Sequence, residues 1–297
     1  MGDAQSRMER EKAELDDFRK QIKDSPDLRV NKTIVMFTGV SSSDNLRQHY
    51  EKRKMEAGQF AAGMIKSLLE ILGDLTPVPA LAGLGSMAIS IYIDSFFPSP
   101  PEESMKDALR SVFAEEKASE VWDQIDECLK RCMMHIHNDY ELATDITRIE
   151  VQLSAAPTKL KNSMVRDGHM SSQALKAWVN GAAFHIQMLI HLVRLGGTQT
   201  CDPVESLLST YLRDLRMLFQ EHREMIRAKC RDLRAPSRLI DEESNVYRIA
   251  HASHDKYFDV YYNQRYMRQM CDIERYFSDV KENLQTLVDQ RGYLKVD

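Results

Sequence analysis

Glycine and proline are scarce in this chain, 12 and 9 among 297 residues, which excludes collagen-like and loop-dominated folds. Cysteine is sparse too. The five thiols (128, 132, 201, 230 and 271) form an odd set at spacings that define no disulfide framework, as expected of a reducing compartment. In that setting the Asn31-Lys32-Thr33 glycosylation triplet carries no meaning. The sequence holds no phosphate-binding loop, no H-E-x-x-H helix, no G-x-S-x-G elbow and no zinc-finger spacing. A formal net charge of −5 without an aromatic RNA-reading signature gives no general affinity for nucleic acid. These absences predict a protein that is not an enzyme and uses no cofactor or metal. The first 20 residues are charged and lack an apolar core, so they do not read as a secretory signal, and a cytoplasmic protein able to associate with membranes is expected. Met1-Gly2 with Ser6 fits the myristoylation pattern in form, but Asp3 speaks against it, and one acyl chain holds a membrane only marginally.

What the chain does have is Leu, Met, Ala, Glu, Lys, Arg and Gln, the residues that favour helix. We expect an all-α fold, an elongated bundle of five to six long helices around a central hydrophobic hairpin. Three regions are predicted: polar helices over 1–58, the hairpin over 59–100, and a long-helix bundle over 101–297 that is continuous with it. Residues 3–24 read as a polar helix, and 33–37 as either a short strand or a helical turn. Another helix starts near Asn45. Between Glu102 and Ala155 there is no proline or glycine, so one long helix, or two nearly collinear ones, should run there and end at Pro157. The spacing then predicts an apolar helix over 172–195, stopped by Gly196-Gly197. Next comes a helix capped by Asp202, with Pro203 at its first position, running until Pro236. A last helix, 242–290, carries Tyr266 followed by Met270, Ile273, Phe277, Val280, Leu284 and Leu287, a four-three seam for packing or self-association.

Several residue clusters invite a chemical reading. Gly83-Leu84-Gly85-Ser86-Met87-Ala88 matches a dinucleotide fingerprint in spacing, but prolines precede it and no alternating strands and helices follow. Cys128, Cys132 and His135 share a helical face, with His137 near, yet they continue the apolar seam of Val121 and Ile125 and read better as core. His251 and His254 lack a second ligand cluster. Arg223, Arg227, Lys229, Arg231 and Arg234 concentrate positive charge near one helix end, where they suit the macrodipole or an anionic lipid surface.

The least polar stretch lies between Asp74 and Asp94, 19 residues without charge. Pro77 and Pro79 interrupt it, leaving 80–93, about 21 Å of helix against ~30 Å of hydrocarbon. A fixed single span is therefore disfavoured. Small residues at Ala82, Ser86 and Ser90 repeat every four positions, the pattern that lets helices approach closely in lipid. With the apolar end of the preceding helix the stretch forms a hairpin, 59–73 and 80–97. Leu81, Gly83, Leu84, Gly85, Met87, Ile89, Ile91, Ile93, Phe96 and Phe97 are its candidate insertion residues.

The run Ala82 to Asp94, followed by Ser95-Phe96-Phe97-Pro98 and by Glu102-Glu103-Ser104-Met105-Lys106-Asp107-Ala108-Leu109-Arg110, resembles the rapunzel-like proteins of bony fishes. The resemblance covers 60–150 and excludes the polar extension before 58. It implies a glycine- and alanine-rich hydrophobic segment followed by an acidic amphipathic helix, and brings no catalytic residues. Long helices bracketing a hydrophobic hairpin are also similar in architecture to pore-forming toxins of the cytolysin A and XaxA type, a likeness of layout alone. Two readings stay open. In the first, the hairpin enters membrane lipid, anionic lipid included, and copies assemble into a homo-oligomeric pore, with His185 and His191 as an acid trigger. In the second, the hairpin stays buried and the 266–287 seam serves a cytosolic scaffold.

Overall fold

A computed structural model of the chain describes residues 2–32, 34–35, 138–194, 200–230 and 238–289, together with 108, 111–112, 127, 131, 134–135 and 196. The predicted hairpin, the helix near Asn45 and most of 102–137 lie outside the described residues. What is described is all-α apart from one two-stranded antiparallel sheet.

The third helix in the described order is the organising one. α1 spans Gly2–Gln21, α2 Asp139–Arg166 and α3 Ser172–Arg194. From Ala177 to Arg194 every residue of α3 except Leu189 is buried, so this helix has no water face. Its start and stop follow local rules. Ser171 Oγ accepts from Ala174 N at 3.0 Å, and Gly196 takes φ 74°, donating to Val193 O at 3.0 Å.

α2 lies along α3, burying Leu142, Ile146, Ile149, Leu153, Leu160 and Met164. One sequence expectation is narrowed on it and another fails. Of the two forms expected for Glu102–Ala155, a single helix is excluded at Asn138, which is extended (φ −124°, ψ 96°) and caps α2 by accepting from Glu141 N at 3.2 Å. Pro157, expected to end the helix, lies inside it. An interior proline costs about 3 kcal/mol. Burying Leu153, Leu160 and Met164 against the core contributes about 1.5–3 kcal/mol each, which outweighs that cost. The helix ends at Arg166 instead, with Gly168 at φ 76° in the predicted loop.

α4, Asp202–Lys229, packs on α3, on α2 and on the later helix over 268–282, and buries Val204, Leu208, Tyr211, Leu215, Leu218 and His222. Its cap is Cys201 and not Asp202, with no side-chain capping bond, so the expected capping arrangement is shifted by one residue. The predicted single helix 242–290 is also revised. β1, Arg238–Ile240, pairs with β2, Val246–Arg248, with Leu239 opposite Tyr247. Asp241 makes the turn: its carboxylate accepts from Glu243 N at 2.9 Å, Asn245 N at 2.8 Å and the Tyr247 hydroxyl at 3.1 Å. Burial works against its charge, but those hydrogen bonds prevail and hold the carboxyl below its ordinary range.

Helix resumes as α5, His254–Tyr262, capped by Ser253, and widens into a π turn over Asn263–Met267. It continues as α6, Arg268–Glu282, then breaks at Asn283 before α7, Leu284–Asp289. The extra residue of the π turn lets Tyr262 and Tyr266 both face inward before Met270 begins the four-three seam.

The N-terminal residues wrap back over this core. Phe18 of α1 stacks on Tyr247 and Tyr257 with ring centroids 5.0 Å and 4.6 Å apart. Beyond α1 the chain is non-helical to Asn31; Lys32, Ile34 and Val35 are then helical, with Val35 N donating to Asn31 O at 3.0 Å, while 33, 36 and 37 lie outside the described residues. Leu28, Val30 and Ile34 are buried there.

The packing assigns different weights to different apolar residues. Phe277, fully buried, should cost about 3–5 kcal/mol on replacement by Ala. Tyr140, 78% exposed, should change stability by no more than about 0.5 kcal/mol. Urea unfolding followed by circular dichroism measures both.

Candidate functional site

The ten insertion residues from Leu81 to Phe97 lie outside the described residues, as do Arg231, Arg234, Cys128, Cys132 and His137. Among the described residues no helix is long and apolar enough to cross a membrane, and no His, Cys, Asp and Glu group is arranged to hold a metal ion. His135, a candidate ligand in the sequence, lies with Nδ1 2.9 Å from Asp145, a buried carboxylate also within reach of Arg131 and Arg148. The described chemistry is a set of polar groups enclosed between helices.

His185 is clamped from both sides. Glu150 of α2 lies 2.8 Å from its Nε2 and the Tyr211 hydroxyl of α4 lies 2.6 Å from its Nδ1. A carboxylate only accepts, which places the ring proton on Nε2, and the tyrosine hydroxyl then donates to Nδ1. Burial holds the Tyr211 proton well above its usual range, with Asp214 and Glu150 adding to the effect. Lys161 of α2 pairs with Asp214 of α4 at 2.6 Å nearby. Together these groups tie α2, α3 and α4 at one level of the bundle.

His191, two helical turns further on, has a different setting. It is buried with Nε2 free of any hydrogen-bond partner, and Arg194 Nη1 lies 3.5 Å from Nδ1. Burial first, and the neighbouring guanidinium second, push its pKa well below the normal histidine value. Arg194 is itself buried, which lowers it to about 10, and its Nε donates to Leu287 O at 2.7 Å, securing α7. His222, which drew no attention in the sequence beyond its place in the α4 seam, is fully buried between the Ser172 hydroxyl at 3.0 Å and the Tyr262 hydroxyl at 3.1 Å. Burial, aided by Lys229, pushes it down to about 4.

The cationic end of α4 faces α5. Arg223 pairs with Asp259 at 2.6 Å, and Arg227 pairs with Asp255 at 3.1 Å. Arg227 also stacks over Phe258 at 4.7 Å from the ring centroid. Of the five cations expected to suit an anionic lipid surface, these two are engaged within the chain and Lys229 is exposed. The seam Met270, Ile273, Phe277, Val280, Leu284 and Leu287 is buried inside the chain, α6 against α4 and α7 against α3, so it offers no free face for self-association. Its periodicity reported an intramolecular neighbour.

Sequence reasoning missed the residues that hold the N-terminal segment. Asn180 and Gln187, both buried on α3, accept from Asn31 N at 2.9 Å and donate to Ile34 O at 2.6 Å respectively. Two amides seven residues apart on an otherwise apolar helix were the available signal. Glu14 accepts from Ala250 N and His251 N at 2.8 Å and 2.9 Å and from the Tyr257 hydroxyl. No family model, no curated protein and no solved structure matches this chain.

The two depressed histidines fix a direction for acid. The unfolded chain protonates each near pH 6.5, the folded chain only at lower pH, about 4 for His222. Between those values the unfolded state binds more protons, so stability is full above about pH 7 and falls as pH falls, by up to about 1.4 kcal/mol per pH unit per histidine. His191→Leu should remove one such contribution, flattening the loss between pH 7.5 and pH 5 in urea titrations. An unchanged slope would refute the assignment.

Proposed function

We propose that this is a non-enzymatic helical-bundle protein whose hydrophobic hairpin, 59–97, engages membrane lipid, with the described helices as the chassis that carries it. One observation supports the reading: the apolar elements α3 and the 266–287 seam are committed to the core among the described residues, and the uncharged run 75–93 is the remaining long apolar stretch of the sequence, which this reading assigns to lipid. The small residues at 82, 86 and 90 suit close helix packing in a bilayer. Insertion after assembly of several copies into a pore is the fuller form of the same reading.

A trigger must favour the inserted state over the closed one. Of the two histidines expected as the trigger, His185 is held between Glu150 and Tyr211 and is left out of this reading; acid acts through His191 together with His222, whose neutral burial stabilises the closed bundle only above their protonation range. Exposed Lys229 adds attraction to an anionic surface. The scaffold alternative loses its main support, because the seam it would use for a partner is buried within the chain.

The test is flotation with anionic liposomes at pH 7.5 and at pH 5, with dye release as a second readout. Binding should be stronger at pH 5, and the double variant Ile89→Asp, Ile91→Asp should abolish it while keeping the helical circular dichroism of the parent. A variant that still floats refutes lipid engagement by the hairpin. A variant that fails to fold assigns the hairpin to the core.

A further inference from the structure

His191 and α7 are joined through one side chain. Arg194, one turn further along α3, donates from Nη1 to His191 Nδ1 at 3.5 Å and from Nε to Leu287 O at 2.7 Å, so a single buried guanidinium touches both the imidazole and the α7 backbone. A neutral ring that accepts at Nδ1 carries its proton on Nε2, and Nε2 has no partner. α7 itself has six residues, too few for a helix to hold in water alone, and the break at Asn283 (φ −102°, ψ 12°) separates it from α6. Burial of Leu284, Leu287 and Val288 keeps it on α3 together with the Arg194 bond.

A second proton on His191 goes to Nδ1, the atom that receives the guanidinium. Acceptor then becomes donor, and two cations face each other inside the bundle. Among the described residues no carboxylate is bonded to either group to offset this. Glu150 of α2 is taken by His185, Asp214 of α4 by Lys161, and Asp289 of α7 is exposed and bonded to Gln285, while Lys32 of the N-terminal segment is exposed. We propose that His191 is the latch of α7: its protonation drives Arg194 off the Leu287 carbonyl, and α7 lifts from α3 at the Asn283 break while α2, α3 and α4 stay packed. The ties between those three helices run through His185, Tyr211, Lys161 and Asp214 and do not involve His191. Lifting α7 admits water to His191, so proton uptake and opening are one event. It also uncovers Leu284, Leu287, Val288 and the last turn of α3, an apolar surface presented in acid. The inference goes beyond the lipid reading, needs no membrane, and holds whether or not the hairpin ever meets lipid.

The experiment is amide hydrogen exchange of the full chain, read by mass spectrometry at pH 7.5 and pH 5. Each peptide's rate is divided by that of the unfolded chain at the same pH, which removes the intrinsic pH effect. Closed, His191 stays neutral at pH 5; open, it titrates near its ordinary value of about 6.5, so the peptide over 284–289 should lose protection about 30-fold between the two pH values. That peptide should also exchange ahead of the α4 peptides at both. His191→Gln, which offers Arg194 an oxygen and takes up no proton, should keep the protection seen at pH 7.5 and lose the acid response. Protection of 284–289 that is the same at both pH values, exchange of 284–289 only in step with α4, or an acid response that survives in His191→Gln would each overturn the proposal. The first two outcomes are read in the parent chain and decide the matter even where the variant does not fold.

Discussion

Enclosing α3 is the constraint on which the rest of the structure depends. A helix without charge from Ala177 to Val193 cannot leave a face in water, so each side needs its own cover. Among the described residues α2 and α4 supply two sides, α7 a third, and the N-terminal segment and Val112 further cover. Each long covering helix must then be apolar toward α3 and polar outward, which is why four-three spacing recurs in α2 and α4, and α6 repeats it toward α4. At Gly181 the cover comes so close that an added Cβ would lie 2.9 Å from Val112 Cγ1. Glycine is placed there by proximity, with no demand from backbone conformation.

Complete burial raises a second problem, because α3 also carries Asn180, His185, Gln187, His191 and Arg194. An amide or imidazole moved from water to an apolar interior costs roughly 2–7 kcal/mol unless a partner replaces the lost water. The bundle meets this cost by matching polar groups to elements that also have to be positioned. His185 locates α2 and α4, Arg194 locates α7, and Asn180 and Gln187 locate the N-terminal segment. Polar residues on the central helix therefore define which element sits on which face, while apolar area supplies the driving force. His191 and Trp178 are exceptions, with Nε2 of the one and Nε1 of the other unpartnered, and burial enforces the neutrality of His191. The same enclosure that stabilises the fold at neutral pH makes it sensitive to acid.

The sequence made the apolar helices legible because their periodicity is set by the neighbour they bury against. The bounds of α3 and the inward seam from Met270 to Leu287 follow from spacing alone. What stayed hidden was decided by tertiary contacts. Pro157 is tolerated because the flanking turns are held to α3, and no local propensity registers that. The β1–β2 turn looks like helix in composition, since Glu242 and Glu243 favour helix, and it is the Asp241 carboxylate that pulls the backbone round. The N-terminal segment was invisible for a further reason. What it offers α3 is its own main chain, bound by side-chain amides more than 140 residues away, and backbone groups leave no mark in a pattern of side chains.

The two most apolar runs of the chain differ in a way that bears on solvent. Both mix small residues with large ones, so smallness alone does not separate a buried helix from one suited to lipid: α3 has Gly181, Ala182 and Ala183, and 80–93 has Ala82, Gly83, Gly85 and Ala88. Polar content does separate them. α3 carries amides, imidazoles and a guanidinium that need partners on neighbouring elements, and removing it from the bundle would strand them. Between Ala80 and Ile93 the polar side chains are Ser86, Ser90 and Tyr92. A serine hydroxyl can bond to the carbonyl one turn earlier in its own helix, and a tyrosine suits the bilayer interface. In hydrocarbon each unsatisfied polar group costs several kcal/mol, so by composition α3 would be the costlier of the two runs to place there, which is why the proposal assigns 80–93 and not α3 to lipid.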